Sequence, residues 1–344
     1  MIAIRHRLCA ALALCAAAAA FAADAPASSA SAAAPIVIRF SVVNTVNSPK
    51  TQAALFFKRE AEKRTNGRVS VEVYPNSTLY KDKEELEALQ LGAVQMLAPT
   101  LGKLGPLGAK EFEVFDLPYL FDDYAQVHKV TGGAIGERLL RSLASRRIQG
   151  LAFWDNGFKQ MNADRPLRRP EDFKGLKMRI FSSKVLEAQM RALGAIPQVL
   201  PASDMYMALQ TGLVDGNENT ESTFYQFKFY EVQKYLTLSR HGYVGYALVA
   251  NKAFWDGLPA DVRATLEGVV REATAYNDAI AEKENLESLE LVRKTGKTEI
   301  LALTPGERLA WKKALLPVHK DAEARVGKDL VEAIYKEIAF DPDK

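Results

Sequence analysis

Cysteine is almost missing from this 344-residue chain: Cys9 and Cys15 are the only two, and both lie within the first 22 residues. The rest of the chain therefore has no disulfide framework and no thiol site. Histidine is nearly as scarce. His6, His128, His241 and His319 stand far apart, and none belongs to an H-E-x-x-H or Cys/His cluster. No G-x-S-x-G occurs. Gly102–Gly108 is glycine-rich but lacks the G-K-S/T ending of a phosphate loop, and Thr131–Gly136 does not give G-x-G-x-x-G. An excess of one charge is missing too. The net charge is +3, and without Arg5 and Arg7 the 45 Lys+Arg become 43 against 42 Asp+Glu. No basic domain exists, which argues against nucleic acid as a partner, whereas a small anion needs only local positive charge.

What is present is a globular composition, 48% hydrophobic and 25% charged, long enough for two domains with real cores. Residues 1–22 read as a secretory signal: Arg5 and Arg7, an apolar stretch from Leu8 to Phe21, and a small-x-small site at Ala20-Phe21-Ala22. The stretch is short against the roughly 20 residues of a membrane span. Cleavage is expected after Ala22, with Ala23 as second choice. Residues 23–34 form an Ala/Ser/Pro tether expected to be disordered.

From Ile36 onward strand and helix patterns alternate, which is α/β character. IVIRFSVV reads as a buried strand, Ser48-Pro49 starts a helix, Val69–Tyr74 is an alternating strand, and Lys83–Leu91 is a helix stopped by Gly92. A second α/β unit begins near Gly157, and the apolar strand Tyr243–Ala250 returns to the first, giving two lobes joined by several crossings, a hinge architecture. Lobe I is expected to comprise 35–156 with about 243–284, and lobe II 157–242 with about 285–344. A helical pattern without proline runs from Pro259 to about Lys294, longer than the roughly 8–20 residues usual for a globular helix. The residues alone allow two helices broken near Gly268 or near Glu282–Glu284.

Two segments carry the functional reading. Asp172–Ile180, DFKGLKMRI, is a turn and a strand in which Leu176, Met178 and Ile180 face a core while Lys177 and Arg179 face away. Ser203–Thr220, SDMYMALQTGLVDGNENT, reads as a capped helix, a Gly212 stop and a polar turn. In this order and spacing they resemble the substrate-binding subunits of TRAP transporters, the tripartite periplasmic importers of organic acids. EVFDLPYLFDD (Glu113–Asp123) resembles the family's segment after the fourth strand, and Asp155–Ile180 and Phe229–Trp255 resemble the DctP branch, which binds C4-dicarboxylates. The likeness covers roughly residues 36–340. It implies a two-lobe, type II-like periplasmic binding fold of the TRAP subtype, with one long helix spanning both lobes.

The resemblance also implies roles. Arg179 matches the arginine that grips the substrate carboxylate, and Asn219 the amide that bonds the same group. A guanidinium meets a carboxylate with two parallel hydrogen bonds, and an amide adds a donor without charge. A dicarboxylate needs a second cation, for which Lys159 is the leading candidate and Lys50 another. Thr100 and Ser182 offer hydroxyls, and Asn156 and Tyr243 complete the candidate set. The family's binding aromatic is replaced by Ala202, which widens the choice of substrate. Glu218 and Glu221 form a nominal carboxylate pair, with Glu218 read as positioning Asn219 or pairing with a base.

The expected function is capture of a succinate-, fumarate- or malate-like anion in the periplasm by a monomer, and its delivery to the small and large membrane subunits of a TRAP transporter. Neither a cofactor nor a metal is expected. The alternatives are the same role for a 2-oxo or aromatic acid, a periplasmic enzyme acting on an organic acid, or a sensor that presents its closed form to a receptor.

Overall fold

The computed structural model describes residues 34–342. The expected signal segment, and all but the last residue of the tether, lie outside the described residues. The chain begins a first sheet with β1 (Ile36–Ser41), β2 (Val69–Tyr74), β3 (Met96–Leu97) and β4 (Ile148–Phe158). It then enters a second sheet with β5 (Gln160–Ala163), β6 (Lys177–Ile180), β7 (Ile196–Val199), β8 (Gly216–Asn219) and β9 (Tyr235–Leu238). It returns to the first with β10 (Tyr243–Asn251) and adds β11 (Glu299–Ala302) to the second. The strand orders are β2-β1-β3-β10-β4 and β11-β9-β5-β8-β6-β7. In the first sheet β1 runs parallel to β2 and β3, and β10 runs antiparallel to β3 and β4.

Local chemistry explains the element ends. Ser48 caps the helix Pro49–Arg64 by accepting from the Thr51 amide, satisfying one of the orphan donors at a helix start. Gly92 ends the helix Asp82–Leu91 in the left-handed region at φ 79°, where a residue without Cβ has no steric penalty. The segment GNENT departs from its expected turn. Gly216–Asn219 is a central strand, because its backbone pairs with β5 on one side and β6 on the other. Its polar side chains are satisfied in place, Asn217 donating to Asn162 Oδ1 at 3.0 Å.

The helix Ala260–Thr295 is continuous over 36 residues, with no break at Gly268 or Glu282–Glu284. Its first half, from Val262 to Ala273, packs with Ile38, Phe40, Phe57 and Trp154 of the first sheet's core. Near its end Val292 packs with Phe224, Phe229 and Leu236 of the second. Between these, Asn277, Asn285 and Ser288 occupy the buried face, where the helix passes the crossover from β4 to β5. Asn285 Oδ1 accepts from the Ser222 amide at 2.9 Å, and its Nδ2 donates to the Asn156 carbonyl at 2.7 Å. Gly157, at φ 153°, permits this approach: a Cβ there would lie 2.6 Å from Asn285 Nδ2.

The C-terminal segment divides between the two cores. Trp311 and Leu315, in the helix Pro305–Leu315, pack with Met161, Met178 and Ile180 of the second sheet. The helices Pro317–Val326 and Lys328–Ile338 instead place Val318, Ala322, Val326, Leu330 and Ile334 with Leu97, Ile148 and Val249 of the first. After Leu315 the chain thus returns to the first sheet's side, where these helices also meet Val185 of the helix Lys184–Ala192.

Asn285→Ala would leave two buried backbone groups unpaired, at about 1–3 kcal/mol each. Urea unfolding is expected to show a total loss of about 2–6 kcal/mol; an unchanged midpoint would remove Asn285 as the clasp between helix and crossover.

Candidate ligand-binding site

A cavity of about 40 Å³ is lined from the first sheet's side by Asn44, Thr100, Lys103 and Tyr246, and from the second's by Arg179, Phe181, Ala202, Met205, Glu218, Asn219 and Phe227, with Asn156 and Lys159 at the crossover. A single water needs about 10–15 Å³ on this measure, so the space suits a short ligand.

Arg179 is delivered by the alternation of β6. Met178 and Ile180 are fully buried on one face, and Arg179, at 4% exposed, projects from the other. Its Nε and Nη2 both donate to the Leu200 carbonyl, at 2.9 and 2.7 Å. A neutral oxygen thus fixes one edge of the guanidinium plane and leaves Nη1 to the cavity. Burial pushes the guanidinium down to about 10, opposed by the Glu218 carboxylate. Asn219, at the end of β8, is held by its Nδ2 donating to Asn217 Oδ1 at 3.3 Å.

Glu218 is the electrostatic floor. It accepts from Lys159 Nζ at 2.9 Å and from Gln189 Nε2 at 3.1 Å, and His241 Nε2 lies 2.8 Å away. Burial alone would raise its carboxyl. The Lys159 charge and the His241 hydrogen bond outweigh it and hold Glu218 at about 2. Glu218 is thus held ionised, with its oxygens committed to Lys159, Gln189 and His241.

Of the sequence candidates, Arg179, Asn219, Lys159, Thr100 and Asn156 come together at the cavity. Three do not line it. Lys50 is 1% exposed and lies behind the Tyr246 ring, 4.1 Å from its centroid, with Nζ donating to the Ala98 carbonyl at 3.0 Å. Burial pushes it down to about 8, opposed by Glu85. Ser182 lines a neighbouring apolar cavity with Leu107, Val199 and Pro201. Tyr243 turns to the hinge side and donates to Asp155 Oδ1 at 2.5 Å. Each of the three lies on or beside an element that borders the cavity, but its side chain occupies another layer.

The cavity also holds Lys103, Asn44, Phe181 and Tyr246, which the sequence does not single out. Lys103 sits in the 3₁₀ helix Leu101–Leu107, inside the glycine-rich run that lacks a phosphate-loop ending. One lysine among glycines and leucines just past a strand exit was the available signal. Burial, then the Arg179 and Lys50 charges, push its ammonium well below the usual lysine range, while Asp82 pairs with it.

One group of metal-ligand type stands out among the described residues. His128, Asp155 and Asp278 bring ligand atoms within 4.8 Å of one another. It lies outside the cavity lining, and its atoms are bonded to each other and to the protein: His128 Nε2 to Asp155 Oδ2 at 2.6 Å, and the Asp155 amide to Asp278 Oδ1 at 3.1 Å.

Glu218→Gln would strand Lys159, and breaking a buried pair costs about 3–5 kcal/mol. The depressed Glu218 carboxyl contributes stability that is complete above about pH 4.3, the unfolded value, and is lost as pH falls towards about 2. Urea unfolding at a series of pH values should show the variant weaker at pH 7 and its acid slope flattened by about 3 kcal/mol. A variant with wild-type stability and slope would refute the pair's role.

The geometry has close counterparts. The family model for bacterial extracellular solute-binding protein, family 7, matches residues 40–325. A C4-dicarboxylate-binding periplasmic protein of Rhodobacter capsulatus is 58% identical over 302 residues, covering 88% of this chain and 91% of that protein. A TRAP periplasmic solute-binding protein from Shewanella oneidensis, solved with bound succinate, superposes with a TM-score of 0.87 at 42% identity, over 89% of this chain and all (100%) of that one. Another from Pseudomonas aeruginosa PAO1, solved with bound L-malate, gives 0.81 at 44%, over 83% and 100%. The fold is accordingly the two-lobed α/β architecture of these proteins, with a long helix spanning both lobes. The chain belongs to family 7 of the bacterial extracellular solute-binding proteins, a family of binding subunits and not of enzymes.

Proposed function

We propose that this protein captures a C4-dicarboxylate of the succinate, fumarate or malate type and delivers it to the small and large membrane subunits of a TRAP-type transporter. The observation that carries the reading is the buried Arg179 guanidinium, which is fixed along one edge by the Leu200 carbonyl and opens towards the cavity. On this reading Arg179 and Asn219 hold the first carboxylate, and Thr100, Asn156 and Lys159 complete the polar wall. The relatives named above, one of them called C4-dicarboxylate-binding and two solved with succinate or malate, support the substrate class. The small cavity favours a short diacid over an aromatic acid, even with Ala202 in its wall. We further propose that the chain acts as a monomer in the periplasm, released by cleavage after Ala22.

For the lobes we propose 35–156, about 243–284 and 317–338 as the first, and 157–242 with about 285–316 as the second. Contacts across the cavity mouth then describe a closed form: Thr45 Oγ1 donates to Gln226 Oε1 at 2.9 Å, and Lys81 pairs with Asp204 at 2.9 Å. Both are surface contacts worth little alone. Closure therefore depends on the ligand binding the closed form more tightly than the open one.

Arg179→Ala removes charge-assisted bonds of about 1.5–3 kcal/mol each. Calorimetry with succinate and malate is expected to show a loss of several kcal/mol, about 100-fold or more in affinity, in a folded variant. Both acids should raise the wild-type melting temperature. Unchanged affinity in the variant would take Arg179 out of the site, and no thermal shift with any short diacid would overturn the substrate class.

A further inference from the structure

A dianion bound at Arg179 presents a second carboxylate, which is costly to bury without a cation. Two lysines line the same cavity. Both ammonium nitrogens lie 5.9 Å from the centroid of the Phe181 ring. Their counter-ions differ in what happens when the lysine is shared.

Lys159 is locked to Glu218 in a dry pair, both side chains 1% exposed. Drawing it towards a ligand would withdraw charge from a buried carboxylate that depends on it. Lys103 pairs with Asp82 nearer the rim, at 7% and 12% exposed. Asp82 has a second donor in hand, because its other oxygen accepts from the Ala202 amide at 2.7 Å. An ammonium has three N–H donors, so Lys103 can keep Asp82 and still give a bond to a ligand oxygen. Asp82 would not be stranded. The direction of approach also fits: Arg179 stands on β6 of the second sheet, whereas Lys103 enters from the 3₁₀ helix beyond β3 of the first.

We propose that Lys103 is the specificity-determining residue: it receives the second carboxylate of a short diacid whose first carboxylate is on Arg179, and Asp82 ties that contact to Ala202 on the facing loop. The inference deepens the carboxylate reading of the cavity and rests on it. A monocarboxylate leaves the buried Lys103 facing a neutral group, so the same residue selects for diacids and against their half-neutral analogues. The Asp82 bridge gives the second carboxylate a mechanical consequence too, since the carboxylate that positions Lys103 also holds the loop at Ala202 from the second lobe.

The test is calorimetry of the mature chain with succinate and with succinamate, its isosteric half-amide. Lys103→Met is expected to weaken succinate by about 10- to 100-fold, one charge-assisted bond, while succinamate changes by less than about twofold. Lys103→Arg, which restores a cation, should recover most of the preference. Lys103→Gln is measured in parallel, so that a Met variant that fails to fold leaves the test intact. Equal losses for both ligands, or unchanged succinate affinity, would overturn the role of Lys103 while the carboxylate site stands. A wild-type protein that binds neither acid would overturn the reading of the cavity and this inference with it.

Discussion

Everything at this site depends on holding a guanidinium out of water beside a neutral acceptor. Arg179 is 4% exposed, and its Nε and Nη2 both donate to one carbonyl oxygen. A carbonyl satisfies hydrogen bonds but does not neutralise charge, so the cavity stays electrostatically hungry for an anion. A carboxylate in the position of Leu200 would have quenched it. Glu218, the buried carboxylate whose charge acts on Arg179, is already shared among Lys159, Gln189 and His241. A chain whose charges almost balance overall thus concentrates cations where a small anion fits, without the long-range field a basic domain would produce.

The proposed closure requires that concentration to survive movement of the two lobes, and the crossings suit that requirement. The β4-to-β5 and β9-to-β10 connections pass the chain between sheets within a few residues, and Lys159 donates its amide to the Gly242 carbonyl at 2.7 Å, tying the two together. The long helix bonds to this region through Asn277 and Asn285, while its apolar stretches grip the two cores separately. Polar residues at the midpoint and apolar ones towards the ends suit a helix that must hold a bending region by directional bonds. A continuous greasy seam would resist any change of register. The third crossing, after Pro317, adds the C-terminal helices to the first core.

Much of this was legible in the sequence because it is written in local periodicity and caps. β2, the Ser48 cap and the Gly92 stop follow from alternation, hydroxyl capping and a glycine without Cβ. The unbroken helix to Thr295 is what the resemblance implies, since the residues alone allow a break. Arg179 and Asn219 stand out in the sequence because their flanking segments are distinctive, and both line the cavity. What was not legible is what only the third dimension decides. GNENT reads as a turn by composition, and becomes a strand because two neighbouring backbones need its hydrogen bonds. Lys50, Ser182 and Tyr243 lie on the right elements but in the wrong layer, since a strand exit is a point in sequence and a surface in space. Helices after residue 316 carry no mark of which core they join.

The two cavity lysines show why a buried charge cannot be assigned a role from its position alone. Lys159 and Lys103 are equidistant from Phe181 and both line the space. Their difference lies in their partners. Glu218 has spent its acceptor capacity on groups that orient β8 and the crossover, so the Lys159 pair is part of the scaffold that aims Asn219. Replacing such a pair with apolar groups is often neutral, but removing half of it is not, which makes Lys159 a poor group to lend to a ligand that comes and goes. Asp82 accepts from two donors on opposite sides of the cavity mouth, so one of them can shift its weight without leaving a bare charge. A transport protein must release what it binds, and a cation whose counter-ion tolerates both states meets that requirement where a locked pair does not.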